Sequence, residues 1–248
     1  MRRPTALLSL GLTVLATAAL FTSCEEEPTE RLNEEVDLRD YLLAPGASGD
    51  GAIRFSVDST LFDPAPGGTD VRASTQTWVL NEVGGAGEAE QVFLIDKRED
   101  GAPAGEQFWR WGLVNDGGGI VNELDGVTYL SLVEPFTVGA AWDPLSLTDP
   151  DLIVPIEAEP IAIHKDWSAT IDSVGVYSGL MNMQVPAVWV THANSENRIE
   201  LRRVTEVYGR NLGLLERTVD VLDSQNLNDV PWDEKAERGF RLRVRRIF

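Results

Sequence analysis

Ile53-Arg54-Phe55-Ser56-Val57-Asp58 decides the fold class of this chain. Apolar Ile53, Phe55 and Val57 alternate with polar Arg54, Ser56 and Asp58. A side-chain period of two puts the first set on one face and the second on the other, the pattern of a half-buried strand. Working outward, similar short strand signals fall near residues 71–80, 92–95, 109–113, 127–133, 154–163, 169–177, 185–192, 198–208, 214–222 and 240–248. Between them lie chain breakers: Pro64-Ala65-Pro66-Gly67-Gly68, Gly117-Gly118-Gly119, the hairpin-like Asn194-Ser195-Glu196-Asn197, and the turn from Gly209 to Gly213. Gly and Asn supply the backbone conformations of tight turns, and Pro ends regular structure. No long helical period interrupts the series. The expectation is one all-β domain over residues 41–248, with no internal repeat.

The residues before that domain read differently. Residues 1–23 open with Arg2 and Arg3, continue as an uncharged run rich in Leu, Ala, Val and Thr, and end in Phe21-Thr22-Ser23 before Cys24. A basic start, an apolar middle and small residues before a cut site describe an export signal. The segment resembles a bacterial lipoprotein signal, with Thr22 and Ser23 at the small positions, although Phe21 departs from the commoner Leu. The resemblance implies cleavage after Ser23, diacylation of the Cys24 thiol and acylation of the new amine. Two other readings stay open, since an uncharged run of this length also suits an uncut anchor or a plain secretory signal. Cys24 is the only cysteine, so the chain has no internal disulfide and no cysteine nucleophile. Residues 24–40, starting Cys24-Glu25-Glu26-Glu27, are expected to form the lipidated end and an acidic, disordered tether, a short helix from Glu30 to Leu43 being the other reading. Those glutamates read equally as a solvated spacer or as the export tag of Bacteroidetes-type lipoproteins, which they resemble.

Charge excludes one partner class. The formal charge is −19, and loss of Arg2 and Arg3 with the signal makes it more negative. Phosphate backbones need a Lys/Arg footprint, so nucleic acid is not an expected partner. The membrane is expected as a partner through the lipid anchor, where two or three acyl chains hold stably and one does not. Lysine occurs only at Lys97, Lys165 and Lys235, the other basic residues being arginine. That bias suits either a high-GC genome or a saline habitat in which dense carboxylates keep the surface hydrated.

Three short stretches carry a wider resemblance. Tyr208-Gly-Arg-Asn-Leu-Gly213-Leu-Leu-Glu is similar to a late hairpin, and Pro135-Phe-Thr-Val-Gly139-Ala-Ala-Trp142 to a mid-chain element, of β-rich outer-membrane lipoproteins of the Bacteroidetes type. Phe108-Trp109-Arg110-Trp111 fits their Trp-rich strand. The resemblance implies a curved antiparallel sheet or incomplete β-barrel on a lipid anchor at the outer membrane, on its periplasmic or cell-surface face. It implies no chemistry.

Candidate chemistry is sparse. His164 and His192 are the only histidines; neither belongs to a spaced metal motif, and no Gly-x-Ser-x-Gly elbow exists. Both are expected at surface or satisfied polar positions. Acidic loops at 143–151 and 223–234 carry oxygen ligands of the kind Ca²⁺ takes, but without EF-hand spacing, so no metal or cofactor is assigned. Trp109, Trp111 and Trp189 are the ligand-binding candidates, since aromatics on strands line clefts as well as cores. Arg241, Arg243 and Arg245 alternate with Phe240, Leu242 and Val244 and are expected to form a solvent face opposed by acids. No catalytic residue is assigned. The expectation is a lipid-anchored envelope protein that binds a ligand or partner, with a surface hydrolase of polysaccharide or peptide as the alternative.

Overall fold

The alternation that opens at Ile53 is realised as strand β1 (Ala52–Phe62), with Ile53, Phe55 and Val57 buried. The computed structural model describes residues 37–42, 52–62, 69–82, 92–99, 107–114, 118–124, 127–148, 154–156, 159–180 and 183–248; within 80–117, 123–126, 149–160 and 180–183 it describes backbone at most. All of them belong to one compact unit, Asp37–Phe248.

After β1 come β2 (Thr69–Glu82), β3 (Val92–Glu99), β4 (Gln107–Val114), β5 (Gly119–Leu124), β6 (Val127–Val133) and the two-residue β7 (Ala141–Trp142). The small hairpin β8 (Val154–Ile156) and β9 (Glu159–Ile161) precedes β10 (Ala169–Leu180), β11 (Met183–Glu196), β12 (Glu200–Gly209) and β13 (Gly213–Asp223). A single helical turn, α1 (Trp232–Lys235), leads into β14 (Arg238–Ile247). Twelve strands form one antiparallel sheet in the order β6-β5-β4-β3-β2-β1-β14-β13-β12-β11-β10-β7. Two meanders, β1 to β6 and β10 to β14, are therefore joined side by side through the β1–β14 pair, where Val57 faces Val244.

The sheet curls until its ends meet without a ladder between them. Edge strand β6 lies against the face of β11 to β13, where the Tyr129 hydroxyl reaches Glu206 at 2.8 Å. Single hydrogen bonds bridge the seam: Leu130 N–H to Pro144 O, Trp142 Nε1–H to Leu130 O, and the Thr148 hydroxyl to Thr128 O. The architecture is an up-and-down barrel left open at one seam. The inner face holds the core, with Val204, Val219 and Val221 packed against Tyr129, Ile163 and Trp167. On the outer face α1 covers one end through Trp232, beside Phe62, Leu201 and Leu222.

Three local departures from the sequence reading have physical causes. The expected strand over 154–163 is instead a pair of three-residue strands facing each other, with Pro155 opposite Pro160. Neither proline can donate to a ladder, which keeps the segment out of the main sheet. Strand β5 begins within the Gly117–Gly119 run, at Gly119, where the sequence reads only as a break. Third, the stretch expected to be tether up to Asp40 includes the 3₁₀ turn Leu38–Tyr41, with Leu38, Tyr41 and Leu42 buried. Asp37 caps the turn, accepting from Arg39 N–H. Leu38 N–H donates to Glu134 Oε1 at 2.8 Å, the Tyr41 ring packs tilted against Phe136 at 4.9 Å, and Asp40 pairs with Arg210 at 3.0 Å. This turn thus joins the end of β6 to the β12–β13 turn.

At Gly239 the fold tolerates no side chain. Its φ is +111° and a Cβ there would lie 1.9 Å from Val221 O.

Candidate functional site

The inner face of β12 alternates Arg202, Val204, Glu206 and Tyr208, so two charges run in phase with the core. Glu206 is fully enclosed. Register places Arg217 of β13 directly opposite it, and Arg217 Nε donates to Glu206 Oε1 at 2.6 Å. The same oxygen accepts from Tyr129 Oη, and Arg217 Nη2 donates to that hydroxyl at 3.0 Å. Oε2 accepts from Tyr208 Oη and lies 2.9 Å from His192 Nε2. His192 reaches it because β11 bulges there: Thr191 pairs with Thr205 and Ala193 with Val204, leaving His192 as the extra residue. A bulge re-aims a side chain in this way.

Burial alone would raise the Glu206 pKa. The charges of Arg217 and His192 and the hydrogen bonds from His192 and Tyr208 outweigh it and hold the carboxyl well below its ordinary range. Burial would likewise lower Arg217, but Tyr129, Glu206 and Tyr208 raise it overall. Burial first, then the Glu206 charge, push the Tyr208 phenol well up. The result is a permanently ionised pair with neutral phenols around it. That arrangement fixes geometry; it is badly matched to proton transfer near neutral pH, which needs a group poised close to the working pH.

The second histidine belongs to the same aromatic layer. The Trp167 ring lies between His164, at 4.7 Å, and His192, at 5.6 Å and 30° between planes, with Tyr129 edge-on at 5.2 Å. His164 is 2% exposed and neither ring nitrogen has a hydrogen-bond partner. Burial pushes its pKa down to about 4. The expectation of a surface or satisfied position is corrected for His164, which is buried with neither nitrogen engaged; His192 is buried and satisfied at Nε2 by Glu206, though not at Nδ1.

The candidates named from sequence do not converge. Cys24 lies outside the described residues. Trp109 and Trp111 fall on β4, opposite Ile95 and Phe93, with side chains outside the described set. Trp189 lies on the outer face of β11, in a cluster with Tyr177, Val185, Ala187, Val207 and Leu215, away from Glu206. Of the two acidic loops, Asp143 accepts from Leu145 N–H, Asp223 pairs with Arg202 at 2.7 Å, and Asp233 pairs with Arg241. Among the described residues no three His, Cys, Asp or Glu side chains are grouped to hold a metal. The arginine face of β14 meets acids, as the alternation suggests: Arg243 and Arg241 reach Asp220 at 2.9 and 3.4 Å, and Arg245 reaches Glu216 at 3.6 Å.

Sequence reasoning passed over Glu206, Arg217, Tyr129 and Trp167. The signal for the first two was present, since Arg217 shares the phase of Val219 and Val221, as Glu206 shares that of Val204. The motif residues acquire physical roles here. Tyr208 donates to Glu206, Trp142 bridges the seam, and Gly213 holds a positive φ of 71° after the turn. No family model, curated protein or solved structure matches this chain.

Proposed function

We propose that this chain is a lipid-anchored cell-envelope protein, held at the outer membrane on its periplasmic or outward face through Cys24, whose β-domain binds a ligand or partner. The observation that carries this reading is the Thr22-Ser23-Cys24 junction behind a basic and apolar segment. Thirteen positions further on, Asp37 begins the segment docked on the domain. At ~3.3–3.6 Å per residue that stretch spans at most roughly 45 Å, so the anchor would hold the domain close to a bilayer. The resemblance to β-rich outer-membrane lipoproteins supports the same reading. A surface hydrolase is the alternative. Glu206 is not available to such a reaction, because Arg217 keeps that carboxylate ionised and occupied.

Intact-mass measurement of the protein purified from membranes tests the anchor. A chain starting at Cys24 and carrying the added mass of two or three acyl groups is expected, and Cys24→Ala should abolish that mass. A cleaved, soluble product with an unmodified Cys24 thiol would overturn the proposal.

A further inference from the structure

The segment 162–168, between β9 and β10, belongs to neither sheet. It closes on itself as a tight turn. Trp167 N–H donates to His164 O, Trp167 Nε1–H donates to Ile163 O at 3.1 Å, and Asp166 takes a left-handed φ of 60°. The turn lies on the inner face of the barrel. Ile163 and Trp167 are buried among Tyr129, Val204, Val219 and Val221, and the Trp167 ring covers that of His192. Tyr129 and His192 are themselves partners of Glu206, so Trp167 closes the inner charged layer on this side. The polar links from the turn to the sheet are few among the described residues. Ser168 N–H donates to His192 O, Arg202 Nε to Ala162 O, and at the surface Lys165 meets Glu200 at 2.7 Å. A segment outside the ladders can open at a cost well below that of the whole sheet.

His164 sits in this turn with no polar partner. A neutral imidazole carries one donor and one acceptor. Both nitrogens are sealed from solvent, and neither makes a hydrogen bond. None of the charged and titratable groups described around it reaches it. On the turn itself Lys165 pairs with Glu200, and Asp166 is exposed. On β12 Arg202 pairs with Asp223, and Glu206 is filled by Arg217 of β13, Tyr208, Tyr129 of β6 and His192 of β11. Burial, and no neighbouring charge, is what lowers the His164 pKa. A proton placed there would make a buried cation without a counter-charge, which costs far more than an unpaired neutral group.

We propose that the 162–168 turn is an acid-released plug: protonation of His164 expels the turn from the barrel and opens the layer beneath Trp167 to water. The closed turn keeps His164 neutral, whereas the open turn lets it titrate as a solvated imidazole, at about 6.5. The open form therefore binds more protons, and its population rises as pH falls from that value toward the closed one, about 4. The gain is about thirtyfold at pH 5 relative to pH 7.5. Glu206 does not contribute in this interval, because its carboxyl is held well below it. The device does not depend on the lipid anchor proposed above.

Hydrogen exchange read by mass spectrometry on the full-length protein in detergent tests it. After correction for the intrinsic pH dependence of exchange, the amides of 162–168 should exchange about thirtyfold faster at pH 5 than at pH 7.5. Dilute urea should leave that rate unchanged. Amides of β12 and β13 should stay slower and respond to urea, because they open only with the domain. In His164→Phe the acceleration should fall to about twofold or less. If that variant loses its far-UV circular dichroism, His164→Met replaces it, and the urea comparison in the wild-type chain stands without either. Exchange of 162–168 that shares the rate and urea dependence of β12 and β13 overturns the proposal, since the turn then leaves only with the domain. So does a wild-type chain without acceleration, or an acceleration that survives replacement of His164.

Discussion

β13 carries Arg217 inward and Asp220 outward, three residues apart, and each meets an opposite charge. Inside, Arg217 and Glu206 are sealed from water and shared with two phenols and an imidazole. Outside, Asp220 sits between Arg241 and Arg243, whose side chains are 26% and 33% exposed, and further along the face Glu216 meets Arg245, itself 65% exposed. The residue types are the same, and position alone sets their consequence. A desolvated pair acts as one unit, because removing either partner strands a buried charge. A hydrated pair such as Glu216–Arg245 gains little from its partner and loses little with it, and Asp220, only 4% exposed between its two arginines, stands between the two cases. The inner pair also touches Tyr129, so it ties the edge strand β6 to β12 and β13, with which it has no ladder, whereas the outer pairs link strands already joined by ladders.

The largest effect is expected from splitting the inner pair. Arg217→Met leaves Glu206 buried without its cation and should lower stability by about 3–5 kcal/mol. Urea unfolding measures it, and Glu206→Gln added to Arg217→Met should recover part of the loss. A loss near that of a surface substitution would mean water already reaches the pair and would dissolve the contrast between the faces.

Next comes a dependence on pH confined to the inner layer. His164 titrates near 4 when folded and near 6.5 when unfolded. Between those values the unfolded chain binds more protons, so stability is complete above about pH 6.5 and declines as pH falls toward 4, by roughly 3 kcal/mol at most. His164→Phe should flatten that interval in unfolding midpoints measured from pH 7 to pH 4.5. Glu206, depressed on folding, adds its own loss only below its unfolded value, about 4.3. An unchanged slope in His164→Phe would place the titrating group elsewhere.

The smallest effect belongs to the outer face. Arg245→Ala should cost about 0–1 kcal/mol, and less as NaCl is raised, because an exposed pair is screened. A loss as large as that from Arg217→Met, or one insensitive to salt, would show that the outer arginines are as strongly coupled as the inner one.

Much of this architecture was legible in the alternation of residues. Strand β6 runs over the expected 127–133, and β12, β13 and β14 fall within a few residues of their expected ends. Periodicity identifies a strand but not its neighbours, so the pairing of β1 with β14 and the open seam had to come from three dimensions. Trp189 was visible as a strand aromatic, yet only the register with Val207 shows that it faces outward. His192 was hidden by a bulge, which shifts the phase that a period of two would assign. Leu38, Tyr41 and Leu42 were hidden by the acids before them, since net charge describes a whole segment and docking depends on three side chains within it.

The pairing of β1 with β14 also governs when this domain can come into being. Its first strand lies hydrogen-bonded between β2 and the last, so one of its edges waits for residues 238–247 while the rest of the chain is made. Such a contact closes a loop of nearly the whole domain before it returns any binding energy, which slows folding. A nascent or partly delivered chain therefore keeps the β1 edge open until β14 arrives, and the arrival of that strand is the event that commits the domain to a single structure.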